Sequence, residues 1–129
     1  MSANKNVVIT LAARKKLLRA RAGDATLPKV SSMVFGDGGV TSDGTVIAPA
    51  ENQTGLKHEL MRKAVSGHTY PNETTCRYTC ELLENELAGK EISEIGLVDT
   101  DGDVLCIKTF TRKGKDDDVR QTYTIDDVF

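Results

Sequence analysis

At 129 residues and 14.0 kDa, the chain has room for one domain and one sizeable core, which excludes an enzyme with separate cofactor and substrate lobes. A hydrophobic share of 39% and a charged share of 28% indicate a soluble globular protein, and 5% aromatics without Trp argue against a stacking platform for single strands or sugars. The net charge of −2 hides an asymmetry: residues 1–64 carry 10 Lys and Arg against 5 Asp and Glu, and residues 65–129 carry 7 against 14.

Thr10 stands as an N-cap before Leu-Ala-Ala-Arg-Lys-Lys-Leu-Leu-Arg-Ala-Arg-Ala, a run of strong helix formers. Gly23 sits at the C′ position, and Arg19 and Arg21 complement the dipole in the last turn. The spacing predicts a helix over 11–22 with two apolar stripes. Leu11, Leu18 and Ala22 share one side, and Ala13, Leu17 and Ala20 another, so the helix can face its own sheet and also a partner.

Pro28 to Phe35 reads as a strand, with Val30 and Ser32 facing one way and Met33 and Phe35 the other. Gly36-Asp37-Gly38-Gly39 stops it. From Val40 to Gln53 no period is sustained, which predicts a long Gly/Pro loop. Thr54 is a cap for a short helix over 55–62, and 66–72 reads as a turn region. Thr74 to Leu83 alternates as a strand, with Cys76, Tyr78, Cys80 and Leu82 on one face.

Ile92 to Asp99 is a strand, Asp101-Gly102 a hairpin turn, and Asp103 to Thr111 the return strand. The return strand is apolar on both faces: Val104, Cys106 and Phe110 on one, Leu105 and Ile107 on the other. That pattern requires cover on both sides, from a helix on one and from the rest of the fold or a second chain on the other. Lys113 to Asp118 reads as a charged turn. Gln121 to Asp126 alternates again with Tyr123 and Ile125 inward. The expected fold class is α+β: an N-terminal helix packed on a mostly antiparallel sheet or meander, with the long loop beside it, in a single domain spanning 1–129.

The chemistry-bearing residues give weak signals. Gly36-Asp37-Gly38-Gly39 lacks the Lys-Ser/Thr ending of a phosphate loop and the spacing of a dinucleotide fingerprint, so it reads as a tight turn. Asp99, Asp101 and Asp103 alternate like a calcium loop but lack its glycine position and closing Glu, and read as solvated acids at a hairpin tip. Cys76 and Cys80 lie ~13 Å apart on a strand. Zinc binding with His58 and His68 would need a helix there instead, so small apolar core residues are the reading for these cysteines and for Cys106. Nothing in the spacing selects a nucleophile, base and acid. Arg14, Lys15, Lys16, Arg19 and Arg21 point around the helix rather than along one face, which disfavours nucleic acid and favours solvent or an acidic protein neighbour. No catalytic, cofactor-binding or metal-binding residue is assigned.

No apolar run approaches a membrane span, and the start of the chain does not follow the order of a secretory signal, which places its synthesis in the cytosol. Three cysteines form no disulfide framework. The residues by themselves support a non-catalytic binding or assembly module.

Several stretches in order resemble the phage tail-collar fibre family. They are Val8-Ile9-Thr10-Leu11-Ala12-Ala13-Arg14, then Pro28-Lys29-Val30 running to Phe35-Gly36-Asp37-Gly38, then Leu56 to Arg62. Next comes Ile92-Ser93-Glu94-Ile95-Gly96-Leu97-Val98-Asp99 with its Asp101-Gly102-Asp103 turn. The segments Lys115 to Asp118 and Ile125 to Phe129 are similar to short prophage members. The Phe-Gly-Asp-Gly turn and the Glu-Ile-Gly-Leu strand are the most specific pieces. The resemblance implies a structural, non-catalytic phage or prophage tail protein at or near the baseplate, in the virion tail and assembled in the bacterial cytoplasm. Its expected partners are other tail, baseplate or fibre proteins and identical copies, with a trimer as the usual state, and neither nucleic acid nor membrane. A full-length fibre continues into a shaft and tip, so a connector or accessory piece is expected here and receptor binding is not carried over. The rival expectation is a glycan- or cation-binding module using the 36–53 loop.

Overall fold

The structure, a computed structural model, describes residues 6–129. Eight strands and one helix follow in the order β1 (Val7–Ile9), α1 (Leu11–Arg21), β2 (Val30–Gly36), β3 (Glu59–Ala64), β4 (Gly67–Asn72), β5 (Thr75–Leu82), β6 (Glu91–Asp99), β7 (Val104–Gly114) and β8 (Gln121–Val128). They form a five-stranded sheet in the order β1-β7-β6-β2-β3 and a three-stranded sheet in the order β4-β5-β8. Every pairing is antiparallel.

The α+β expectation is corrected by this topology. Strands take 48% of the described residues and helix 9%. The layer opposite the large sheet is a second sheet, not the N-terminal helix. Two misread segments account for the difference. Glu-Leu-Met-Arg-Lys-Ala of β3 consists of helix formers, yet it pairs with β2 from Ser32↔Ala64 to Gly36↔Glu59. Tertiary pairing there overrides a propensity worth only tenths of a kcal/mol per residue, about 0.7 at most. Gly-His-Thr-Tyr-Pro-Asn of β4 has turn chemistry, but it is an exposed edge strand, where Pro71 is tolerated beside a register shift.

The helix forms where the sequence places it. The Thr10 hydroxyl accepts from the Ala13 amide at 3.2 Å and donates to the Val104 carbonyl at 2.8 Å, so one residue caps α1 and ties it to β7. At the other end Gly23 adopts a φ of 84°, Gly23 N–H bonds the Ala20 carbonyl and Asp24 N–H the Arg19 carbonyl, a Schellman ending. Only Ala13 of the helix is buried.

The main core lies between the sheets. Met33, Phe35, Ile95, Leu97 and Cys106 of the large sheet meet Cys80, Leu82, Tyr123 and Ile125 of the small one. Phe35 and Tyr123 cross the gap edge to face, with ring centroids 5.4 Å apart. Val34, Val98, Val104 and Ile107 form a second cluster on the far face of the large sheet, with Val8 and Leu56 against it. The β6–β7 hairpin is therefore buried on both sides, as its two apolar faces require. Val104 lies on the side of Ile107 rather than that of Cys106. A register shift between the Leu97↔Cys106 and Val98↔Val104 pairs turns it over.

Candidate functional site

The far face is closed by the long loop, and one carboxylate holds that loop down. Glu94 faces outward on β6 and is only 1% exposed. Its Oε2 accepts from the amides of Gly38 at 2.7 Å and His58 at 2.9 Å, and its Oε1 accepts from Lys57 at 2.9 Å. Ser93 Oγ accepts from the Gly39 amide at 2.9 Å. Both ends of the loop thus converge on two neighbouring side chains. The glycines permit this approach: a Cβ on Gly38 would lie 2.7 Å from Glu94 Oε2, and one on Gly39 2.1 Å from the Ser93 carbonyl oxygen. The two most specific sequence pieces, Phe-Gly-Asp-Gly and Glu-Ile-Gly-Leu, are the two halves of this clamp.

Further ties hold the middle of the loop. The Thr109 hydroxyl donates to the Ile47 carbonyl at 2.8 Å, Arg112 reaches the Thr41 carbonyl at 3.0 Å, and Leu11 N–H reaches the Glu51 carbonyl at 2.8 Å. The loop's acids have partners of their own. Asp37 sits against His58 Nδ1, Asp43 accepts from the Thr41 hydroxyl, and Glu51 pairs with Arg14 at 3.0 Å.

At the hairpin tip the acids are not all solvated. The Asp99 side chain is buried and accepts from the amides of Asp101 and Asp103, both at 3.0 Å. Lys16 Nζ reaches Asp99 at 2.5 Å, Asp103 at 2.7 Å and Asp101 at 3.2 Å. Burial works against the ammonium, but hydrogen bonds to Asp103, Asp99 and Asp101 outweigh it and hold Lys16 well above the usual lysine range. These three aspartates are the one set of metal-ligating groups among the described residues whose atoms lie within 4.8 Å of one another. The lysine ammonium fills the role of their cation, and it pins α1 to the tip.

The structure does not bring Cys76, Cys80, His58 and His68 together. His58 precedes β3 beside Asp37, whereas His68 on β4 lies edge-on to Tyr70 at 5.5 Å and against Tyr78 at 5.7 Å. Burial pushes the Cys80 thiol up to about 11 and the Cys106 thiol up to about 12, which keeps both protonated and weakly nucleophilic at neutral pH. Lys115 belongs to the segment expected as a charged turn. It is instead buried, and its Nζ donates to the carbonyls of Glu84 at 2.9 Å and Asp116 at 2.8 Å, fastening the 83–90 turn to the end of β7.

Part of the gap between the two sheets is open to solvent. Along β8 the inward row continues to Asp127 and then Phe129, and the pairs Cys76↔Asp127 and His68↔Tyr78 bring β5 and β4 alongside. That end of the small sheet, α1, the 27–30 segment and Leu97, Leu105 and Cys106 of the large sheet line a groove of about 440 Å³.

Fold and contacts together define a small two-sheet β domain in which one face is sealed by a clamped loop and another is left open. The chain belongs to the phage tail-collar fibre protein family, in its N-terminal part, which matches residues 1–125. A curated relative described as a probable tail fiber protein, from Escherichia phage P2, is 30% identical over 116 residues. The match covers 89% of this chain and 17% of that protein, so the chain spans about a sixth of the relative's length. No solved structure matches the chain.

Proposed function

We propose that this chain is a non-catalytic assembly domain of a phage or prophage tail, which joins a fibre to the tail or baseplate through protein–protein contacts. The observation that carries the reading is the family match over nearly the whole chain. The geometry supports it. The buried polar groups described above serve to hold loops and turns, and the free surface is an apolar groove rather than a convergence of reactive groups. Assembly as several identical copies in the virion tail, completed in the bacterial cytoplasm, belongs to the same reading. The cations of α1 fit a protein neighbour better than a phosphate backbone, because Lys16 and Arg14 are already paired with carboxylates.

Tail particles from an induced lysogen test this. The chain is expected to co-sediment with the particles, and its deletion to leave tails without fibres. Recovery of the chain only in the soluble fraction, with fibres unaffected by the deletion, would contradict the reading.

A further inference from the structure

Two apolar surfaces of this chain have no cover among the described residues: free cations flank one, and the other holds a single acid, Asp127, that no cation pairs among those residues. The first is the outer face of α1. Ala13, Lys16 and Leu17 line the groove on the inner side. Leu11 and Leu18 point away from it, and Leu18 is 64% exposed in mid-helix. No acid occurs between residues 11 and 22. Lys16 is taken by the hairpin aspartates and Arg14 by Glu51, and among the described residues no carboxylate pairs with Lys15, Arg19 or Arg21. The outer face is thus a leucine stripe flanked by free cations.

The second surface is the groove. Leu27 is 48% exposed, Tyr70 71% and Phe129 60%, all at one opening. Asp127 stands among them on the inward row of β8, with His68 and Tyr78 beside it in the lining, which also includes the exposed Lys29. Burial raises its carboxyl above the usual aspartate range, and among the described residues no donor or cation offsets the loss of water. A half-buried carboxylate beside aromatic faces suits an ammonium or guanidinium carried on an apolar stem.

We propose that the outer face of α1 in one copy of this chain seats in the open groove of another copy, with Leu18 against the aromatic wall and one of Lys15, Arg19 or Arg21 on Asp127. The proposal rests on the reading of the chain as an assembly domain, and it names the surfaces that reading leaves open. The contact is heterologous at the level of patches, helix to groove, and repeats into a closed ring or a two-fold pair according to the rotation.

Sedimentation of the full chain from micromolar to near-millimolar concentration tests it. The wild type is expected to self-associate, and added salt to weaken the association. Leu18→Glu, at an exposed position that leaves the fold intact by circular dichroism, is expected to weaken association at least tenfold. Asp127→Lys alone and the triple change Lys15→Glu, Arg19→Glu, Arg21→Glu alone are each expected to abolish it, and the combined chain to recover it. A monomer at every concentration would overturn the proposal, as would an oligomer that Leu18→Glu leaves intact or a combined chain that does not recover. A monomeric chain that still joins tail particles would sink this contact and leave the assembly reading standing. Absence from the particles would sink that reading itself.

Discussion

On the far face of the large sheet, Val34, Val98, Val104 and Ile107 lie beneath residues 37–58; at one end of the small sheet, His68, Tyr70, Tyr78 and Asp127 line an open groove. Both regions set apolar side chains around an acid withdrawn from solvent. The difference is what each acid finds. Glu94 receives three backbone N–H groups from its own loop, so its burial is matched by hydrogen bonds. Asp127 receives none among the described residues. A buried charge that its own chain satisfies reads as architecture, and one left half-buried and unsatisfied reads as an unfinished contact.

Substitutions can break this contrast from either side. The largest effect is expected at Glu94. Glu94→Ala leaves three loop amides without their acceptor, at about 1–3 kcal/mol for each one that stays buried. A loss of about 3 kcal/mol or more is expected in urea denaturation, and a loss below about 1 kcal/mol would show that the loop is held by something else. Gly39→Ala comes next. Its methyl would meet backbone at 2.1 Å, which cannot rotate away, so a loss of about 2–3 kcal/mol is expected by the same measurement. Lys16→Met removes the ammonium from buried Asp99 but keeps that residue's two backbone bonds, and about 1–2 kcal/mol is expected.

Asp127→Asn should go the other way, and it sharpens the contrast most. The raised carboxyl means that the folded chain holds this proton more tightly than the unfolded one. Stability from this group is therefore present below the unfolded value of 3.8 and is lost as pH rises through the raised folded value. At neutral pH the amide removes that cost. A gain of about 0.5 kcal/mol in the monomer, reduced by partial exposure, is expected together with weaker self-association. Glu94→Ala would lose stability; Asp127→Asn would gain it and lose assembly.

Much of the fold is legible in local chemistry. Thr10 and Gly23 bracket α1 because capping is a matter of adjacent residues. The 92–111 hairpin shows in its turn and its double apolar face, and β8 in the alternation of Tyr123 and Ile125, which extended by one step reaches Asp127. The second apolar stripe of α1 was also visible, and the structure leaves it exposed. The second sheet was hidden because β3 and β4 take their conformation from partners far along the chain rather than from their own propensities. The clamp was half visible. The glycines and Glu94 stand out as motifs, but the amides of Lys57 and His58 are backbone groups that every residue carries, and only the folded path brings them to the carboxylate. Lys115 gave no signal, because a lysine among acids in a turn looks like solvent-exposed sequence.

The contrast between a sealed face and an open one is tested most directly by placing a photo-crosslinking amino acid at position 18 and irradiating a mixture of heavy- and light-isotope copies. Heavy-to-light crosslinks from position 18 to peptides of β4, β5 or the end of β8 are expected. Crosslinks to residues 37–58, or none between copies, would contradict the account.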